Sequence, residues 1–359
     1  MSIIQLVANL NYGDAIGNNV VAMHRTLESA GHQARIMTLE KHPAVAVAVE
    51  DVDVSAIHDD DLVIFHKASG DELSGIFTRL TCRKVLLYHN ITPARFFLPY
   101  DPVMSLNLMR GRRQLRQMAA CQPWCWGASN YNLDELRRRG YPADRLRCLP
   151  ILYDPATNVQ ADPETLRRLK AVQGTRFLFT GRIAPNKKQE DVIKVFATYR
   201  ATVDPHAELY LMGSWQGNDK YYAKLQGFIA DLKLEGVTFT GHVTDEERTA
   251  YYLGCDVFVC MSEHEGFCVP LLEAMQHDIP VVAFAACAVP ETLGPTPLLF
   301  ERKDYPAISR AIARLKQDPA FRRQVITAQR ESLARFDLAQ VSARLLRLVD
   351  EVLKGGDAP

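Results

Sequence analysis

Apolar residues fall along this chain in short unbroken runs rather than in strict alternation. In the first half the runs are 3–8, 62–66, 85–88 and 124–128, closed by 149–153. In the second half they are 176–180, 208–212, 237–240, 257–259 and 279–284. Unbroken runs bounded by turn residues predict strands buried on both faces, the habit of parallel sheets covered by helices. Between the runs the period lengthens to that of a helix. Helices are predicted over 18–30, ended by Gly31; over 104–119; from a Ser129 cap to Arg139; and from Lys188 to Tyr199. Three more follow over 306–317, 319–336 and 339–354. Strand and helix alternate throughout, so the fold class is α/β with doubly wound sheets.

A chain of 359 residues is long for one core. The polar stretch 154–174, with Pro155 and Pro163, is the natural boundary between two such domains.

The most informative stretch is 255–284, CDVFVCMSEHEGFCVPLLEAMQHDIPVVAF. A strand breaks at Ser262–Gly266, Pro270 stands where a helix begins, and a further strand follows. Such sheets bind ligands at the carboxyl ends of their strands. Glu265 lies in the loop and Glu273 inside the helix. The helix start suits a phosphate, whereas carboxylates suit hydroxyl donors. A sugar and a ribose joined through a diphosphate meet both needs. Arg182 and Lys187, just past the strand 176–180, carry the charge to neutralise a diphosphate.

Other candidates sit at strand ends. Gly13 and Gly17 flank a turn after the first strand, without the dinucleotide fingerprint GxGxxG. His89 ends the strand 85–88, and His66 is a lesser candidate. Asp59, Asp60 and Asp61 contain a DxD, read as turn carboxylates rather than a metal site.

Composition narrows the class. With 47% hydrophobic residues and zero formal net charge, the chain reads as globular and without a field for nucleic acid. Eight scattered cysteines without a CxxC read as reduced thiols of a cytoplasmic protein. The first residues read as a strand rather than a signal peptide. The helix 104–119 is basic and amphipathic. Met104, Leu108, Gly111, Leu115, Met118 and Ala119 share one face, with Arg112, Arg113 and Arg116 beside or opposite it. That face either packs on its own domain or docks on anionic membrane at the inner face of the plasma membrane.

The segments FTGRIAPNKKQEDVIKVF, FTGHVTDEE and EHEGFCVPLLEAMQHDIPVVAF, with NYGDAIGNNV, YHNITP and SNYNLDEL earlier, resemble family 4 retaining glycosyltransferases of the GT-B fold. The likeness is to bacterial surface-polysaccharide mannosyl- and glucosyltransferases. It implies two Rossmann-like domains, 1–155 on the acceptor side and 156–336 for the nucleotide sugar, with a cleft between them and a helix, 337–359, crossing back. It implies a nucleotide-diphosphate-sugar donor, with GDP-mannose favoured and a UDP-sugar open, a glycan or lipid-linked acceptor, and no metal or other cofactor. By the same resemblance Glu265 contacts the donor sugar, Glu273 the ribose, and Arg182 and Lys187 the diphosphate. Gly266, Phe267, Cys268 and Val243 line the donor, His89 sits near the transferred sugar, and Gly13 and Gly17 near phosphate and acceptor. An epimerase, a phosphorylase or a non-catalytic binding protein are the alternatives.

Overall fold

The computed structural model describes residues 1–11, 13–154 and 159–355. The chain separates into two compact units. One comprises Met1–Ala94, Val103–Asp154 and Phe336–Pro359; the other comprises Arg95–Pro102 and Pro155–Arg335.

The first unit holds a parallel sheet of seven strands: β1 (Ile3–Leu10), β2 (Ala34–Lys41), β3 (Glu50–Asp51), β4 (Leu62–Lys67), β5 (Arg83–Tyr88), β6 (Trp124–Gly127) and β7 (Leu146–Cys148). Their spatial order is β3-β2-β1-β4-β5-β6-β7. The first strand β1 is interior, flanked by β2 and β4, both parallel to it. The core beneath the sheet is completed by the last helix, Leu338–Lys354. Val341, Leu345, Leu348, Val349 and Val352 recur at helical spacing and pack with Ile3, Leu62, Val85 and Trp126.

The second unit repeats the plan with six strands: β8 (Arg176–Thr180), β9 (Glu208–Met212), β10 (Val237–Gly241), β11 (Val257–Cys260), β12 (Val281–Phe284) and β13 (Leu299–Phe300). Their order is β10-β9-β8-β11-β12-β13. Phe177, Phe179, Leu209, Leu211, Val257 and Val259 form its buried centre. In each sheet the winding reverses beside the first strand, at β1/β4 and at β8/β11. A crevice opens at the carboxyl edge of a doubly wound sheet where the winding reverses.

Three expectations change. The strand expected over 149–153 lies instead at Leu146–Cys148: Leu149 N–H makes a final bond to β6, donating to Gly127 O at 2.9 Å, and Leu152 N–H turns to the Asn19 side chain, donating to Oδ1 at 2.8 Å. The first helix starts at Ala15 rather than 18, since Asp14 caps it. The helix Pro102–Met118 buries Leu108, Gly111, Leu115 and Met118 in its own unit. A Cβ on Gly111 would fall 2.6 Å from Gly70 N, so backbone packs directly on that face. Arg112 is spent inside, donating to Glu135 Oε1 at 2.8 Å and to Ile91 O at 2.6 Å. The face expected to meet membrane is therefore core. What points outward is Val103, Leu106 and Met109, exposed at 77%, 65% and 58%. Arg110, Arg113 and Arg116 are exposed with them.

Candidate functional site

On one side of the second sheet's reversal point, three successive strands end in glycine. Gly181, Gly213 and Gly241 follow or end β8, β9 and β10, at φ 140°, 144° and 71°. A Cβ on Gly213 would lie 2.2 Å from Gly181 O, so the two turns touch through backbone. Gly213→Ala is accordingly expected to cost about 2 kcal/mol, read as a lower urea midpoint. An unchanged midpoint would show that the turns can part without loss.

The loops after β8 and β11 are tied across the crevice. Glu263 N–H donates to Asn186 O at 2.9 Å, and Asn186 Nδ2 donates to His264 O at 3.1 Å. This places the Lys187 ammonium 2.8 Å from both carboxylate oxygens of Glu265. The Glu265 side chain is 7% exposed and that of Lys187 21%. Burial pulls the Lys187 pKa down, but the charge and hydrogen bond of Glu265 together with the neighbouring Cys268 and Cys260 thiols leave the value raised. Lys187 is thus held as an ammonium whose nearest partner is the Glu265 carboxylate. Beneath the pair, Cys260 Sγ, Cys268 Sγ and a Glu265 oxygen lie within 4.8 Å of one another. That thiol pair was not foreseen.

Glu265 leads through Gly266 and Phe267 to Cys268, whose φ of 78° turns the chain into the helix Val269–Gln276. A left-handed conformation costs an L residue about 1 kcal/mol or more. The helix has no side-chain cap, and Pro270 occupies its first turn. Glu273 accepts from Tyr252 Oη at 2.8 Å and faces Arg248 Nε at 4.0 Å. Tyr252 escaped notice in the sequence because it sits mid-helix among apolar neighbours. Arg182 is exposed, and its carbonyl accepts from Gln189 Nε2 at 3.1 Å. Val243 is half-buried, directly before the Thr244 capping box.

The first unit's reversal point is built differently. Gly13 has φ 77° with open space where a Cβ would stand. Gly17 lies inside the first helical turn, and its N–H donates to Asp14 Oδ1 at 2.6 Å. It is glycine for steric reasons, since a Cβ would lie 2.0 Å from Asn11 O. Its N–H is therefore not offered to a phosphate as expected. At the ends of β4 and β5, His66 Nδ1 lies 3.0 Å from His89 Nε2, and His66 Nε2 lies 3.0 Å from Gln5 Oε1. Burial pushes the His89 pKa down to about 4. Burial, then the His89 charge, puts His66 well below the usual histidine value. The Asp59–Asp61 carboxylates are spent locally: Asp59 accepts from Thr81 Oγ1, Asp60 pairs with the Met1 ammonium, and Asp61 accepts from Ser2 N and His58 N.

The reversal point of this sheet thus carries a cation–carboxylate pair beside a helix start that has no side-chain cap. Residues 165–332 match the family Glycosyl transferases group 1. O-antigen chain mannosyltransferase B of Escherichia coli is 28% identical over 56% of this chain. A GDP-mannose-dependent alpha-mannosyltransferase of Mycolicibacterium smegmatis is 32% identical over 49%. The chain spans about half the length of these curated relatives or less, 53% and 43%. Anabaena HepE, solved with UDP-glucose, superposes with a TM-score of 0.79 at 17% identity, covering 98% of this chain and all of its own. WaaG, a glycosyltransferase involved in lipopolysaccharide biosynthesis, superposes at 0.71 and 13% identity, covering 99% of this chain and 100% of WaaG. The fold is GT-B, two Rossmann-like domains.

Proposed function

We propose that the protein is a retaining hexosyltransferase that moves mannose from GDP-mannose to a glycan or lipid-linked acceptor and needs no metal. The observation that carries this reading is the Lys187–Glu265 pair, seated at the reversal point of the family-matched unit. The mannosyltransferase names of the relatives support the sugar, and a GDP-mannose-dependent relative supports the base. The bond from the sugar C1 to the diphosphate oxygen breaks, and one from C1 to the acceptor oxygen forms on the same face. The acceptor proton passes to the departing phosphate oxygen. Glu265 steadies the positive charge that builds on the sugar. Lys187 and Arg182, with the helix start at Cys268, steady the negative charge on the leaving group. Glu273, already fixed by Tyr252, receives the ribose hydroxyls.

A thermal-shift panel tests the donor. GDP-mannose at about a hundred times its Kd is expected to add about 2.7 kcal/mol, a rise of a few degrees. A rise with UDP-glucose and none with GDP-mannose would overturn the base assignment. Transfer is expected to survive a chelator. Loss restored by Zn²⁺ would defeat metal independence and point to the Cys260, Glu265 and Cys268 cluster.

A lipid-linked acceptor fits the outward stripe of Val103, Leu106 and Met109 beside Arg110, Arg113 and Arg116. Among the described residues no helix is long and apolar enough to cross a membrane. Co-sedimentation with anionic vesicles at low salt, falling with ionic strength and with glutamate at 110, 113 and 116, is the expected result. No binding at low salt would remove the membrane from the reading.

A further inference from the structure

The first unit contains a directional chain of hydrogen bonds that starts in a helix and ends at an unused atom. Gln5 Nε2 donates to Val20 O at 3.0 Å. That contact settles which end of the amide is which, so Gln5 Oε1 is an acceptor. His66 Nε2, 3.0 Å away, must then carry the proton, which leaves a lone pair on His66 Nδ1. His89 Nε2, 3.0 Å from that lone pair, must carry its own proton. A neutral imidazole holds one proton. His89 Nδ1 is therefore bare, and it is buried without a hydrogen-bond partner among the described residues. Gln5 and His66 are 0% and 3% exposed, so water does not compete for these contacts. A buried acceptor left unmet costs free energy unless a ligand or ordered water completes it.

We propose that Gln5 and His66 are positioning residues that fix the His89 tautomer, so that His89 Nδ1 accepts a hydrogen bond from a hydroxyl of a saccharide bound at the carboxyl edge of the first sheet. The saccharide rests on the function proposed above; the tautomer does not. Gln5, His66 and His89 lie on or just after β1, β4 and β5, three neighbouring strands at the reversal point. A hydroxyl is the complement the atom requires, since a lone pair rejects carbonyl and phosphate oxygens and accepts only a donor. The neutral ring also keeps a full positive charge away from a site where a sugar carbon becomes electron-poor.

Long-range ¹H–¹⁵N spectra of the full chain, labelled in histidine at pH 7.5, read the tautomers directly. Both rings are expected to be protonated on Nε2 and bare on Nδ1. Either ring protonated on Nδ1 overturns the relay, whether or not the chain transfers a sugar. Addition of GDP-mannose is expected to shift the His89 Nδ1 resonance. Gln5→Met removes the acceptor with little change of volume and should release both rings into mixed tautomers. Its kcat/KM should fall about tenfold, the size of one hydrogen bond, with the affinity for free GDP unchanged. Mixed tautomers in Gln5→Met with an unchanged kcat/KM would overturn the positioning role. Wild-type rings as stated, with no turnover and no shift on GDP-mannose, would keep the relay and remove the saccharide.

Discussion

Glu265→Gln is expected to reduce sugar transfer by a factor of about 10² to 10³, the usual size for one charge-stabilising group. The substitution keeps the shape of the side chain but removes its charge, leaving the Lys187 ammonium facing a neutral amide. Stranding one partner of a buried pair costs about 3 kcal/mol or more, so a lower urea midpoint should accompany the lost activity. The two effects separate in the double variant Lys187→Met/Glu265→Leu. Apolar replacement of a buried ion pair is often neutral or stabilising, so the midpoint should return to the wild-type value or rise above it. Transfer should stay absent. Glu265→Gln turning over within a few-fold of wild type would sink the role given to this carboxylate, and a double variant that transfers sugar would sink the role of the pair.

Acid is expected to unlock the first unit before a chain lacking its histidine pair would yield. The usual histidine pKa is 6.5, and burial holds that of His89 at about 4. Between those values the unfolded chain binds more protons than the folded one, so stability rises with pH there. The contribution of the neutral ring is complete above about pH 6.5 and is lost as the pH falls towards about 4. For His89 it amounts to about 3 kcal/mol at the acid end. The measurement is the urea midpoint at pH 7.5 and pH 5 in a Trp215→Phe background, where the remaining tryptophans, Trp124 and Trp126, report on the first unit. His66→Gln/His89→Gln should flatten the slope, because amides keep hydrogen-bonding capacity without a titrating site. Equal slopes in both proteins would assign the acid sensitivity to the carboxylates.

Much of this was legible before any coordinates. Unbroken apolar runs revealed the parallel strands, and chain order then put Glu265, Lys187 and His89 near strand ends. The ion pair itself was not legible. Lys187 and Glu265 are separated by 78 positions, and only the adjacency of β8 and β11 brings them together. Gln5 was overlooked although a glutamine in the apolar strand IIQLVANL is a signal, since a buried amide must bond to something. Gly17 reads as a turn residue from sequence, but the Asp14 cap starts the helix three residues earlier than the pattern shows. For the helix Pro102–Met118 the helical wheel grouped Leu108, Leu115 and Met118 correctly. A wheel does not say what a face touches, and here it touches the chain's own backbone at Gly70.

The core of the first unit closes only with the helix Leu338–Lys354, while Pro155–Arg335 builds the second unit in between. On the ribosome this inverts the usual order, in which the domain that emerges first folds first. The second unit leaves the exit tunnel with nearly all its strands and helices in hand. The earlier-made sheet must wait, with Ile3, Leu62 and Val85 lacking the apolar stripe that covers them. For that interval a nascent chain presents uncovered sheet, a substrate for chaperones that hold apolar surface until translation delivers its lid.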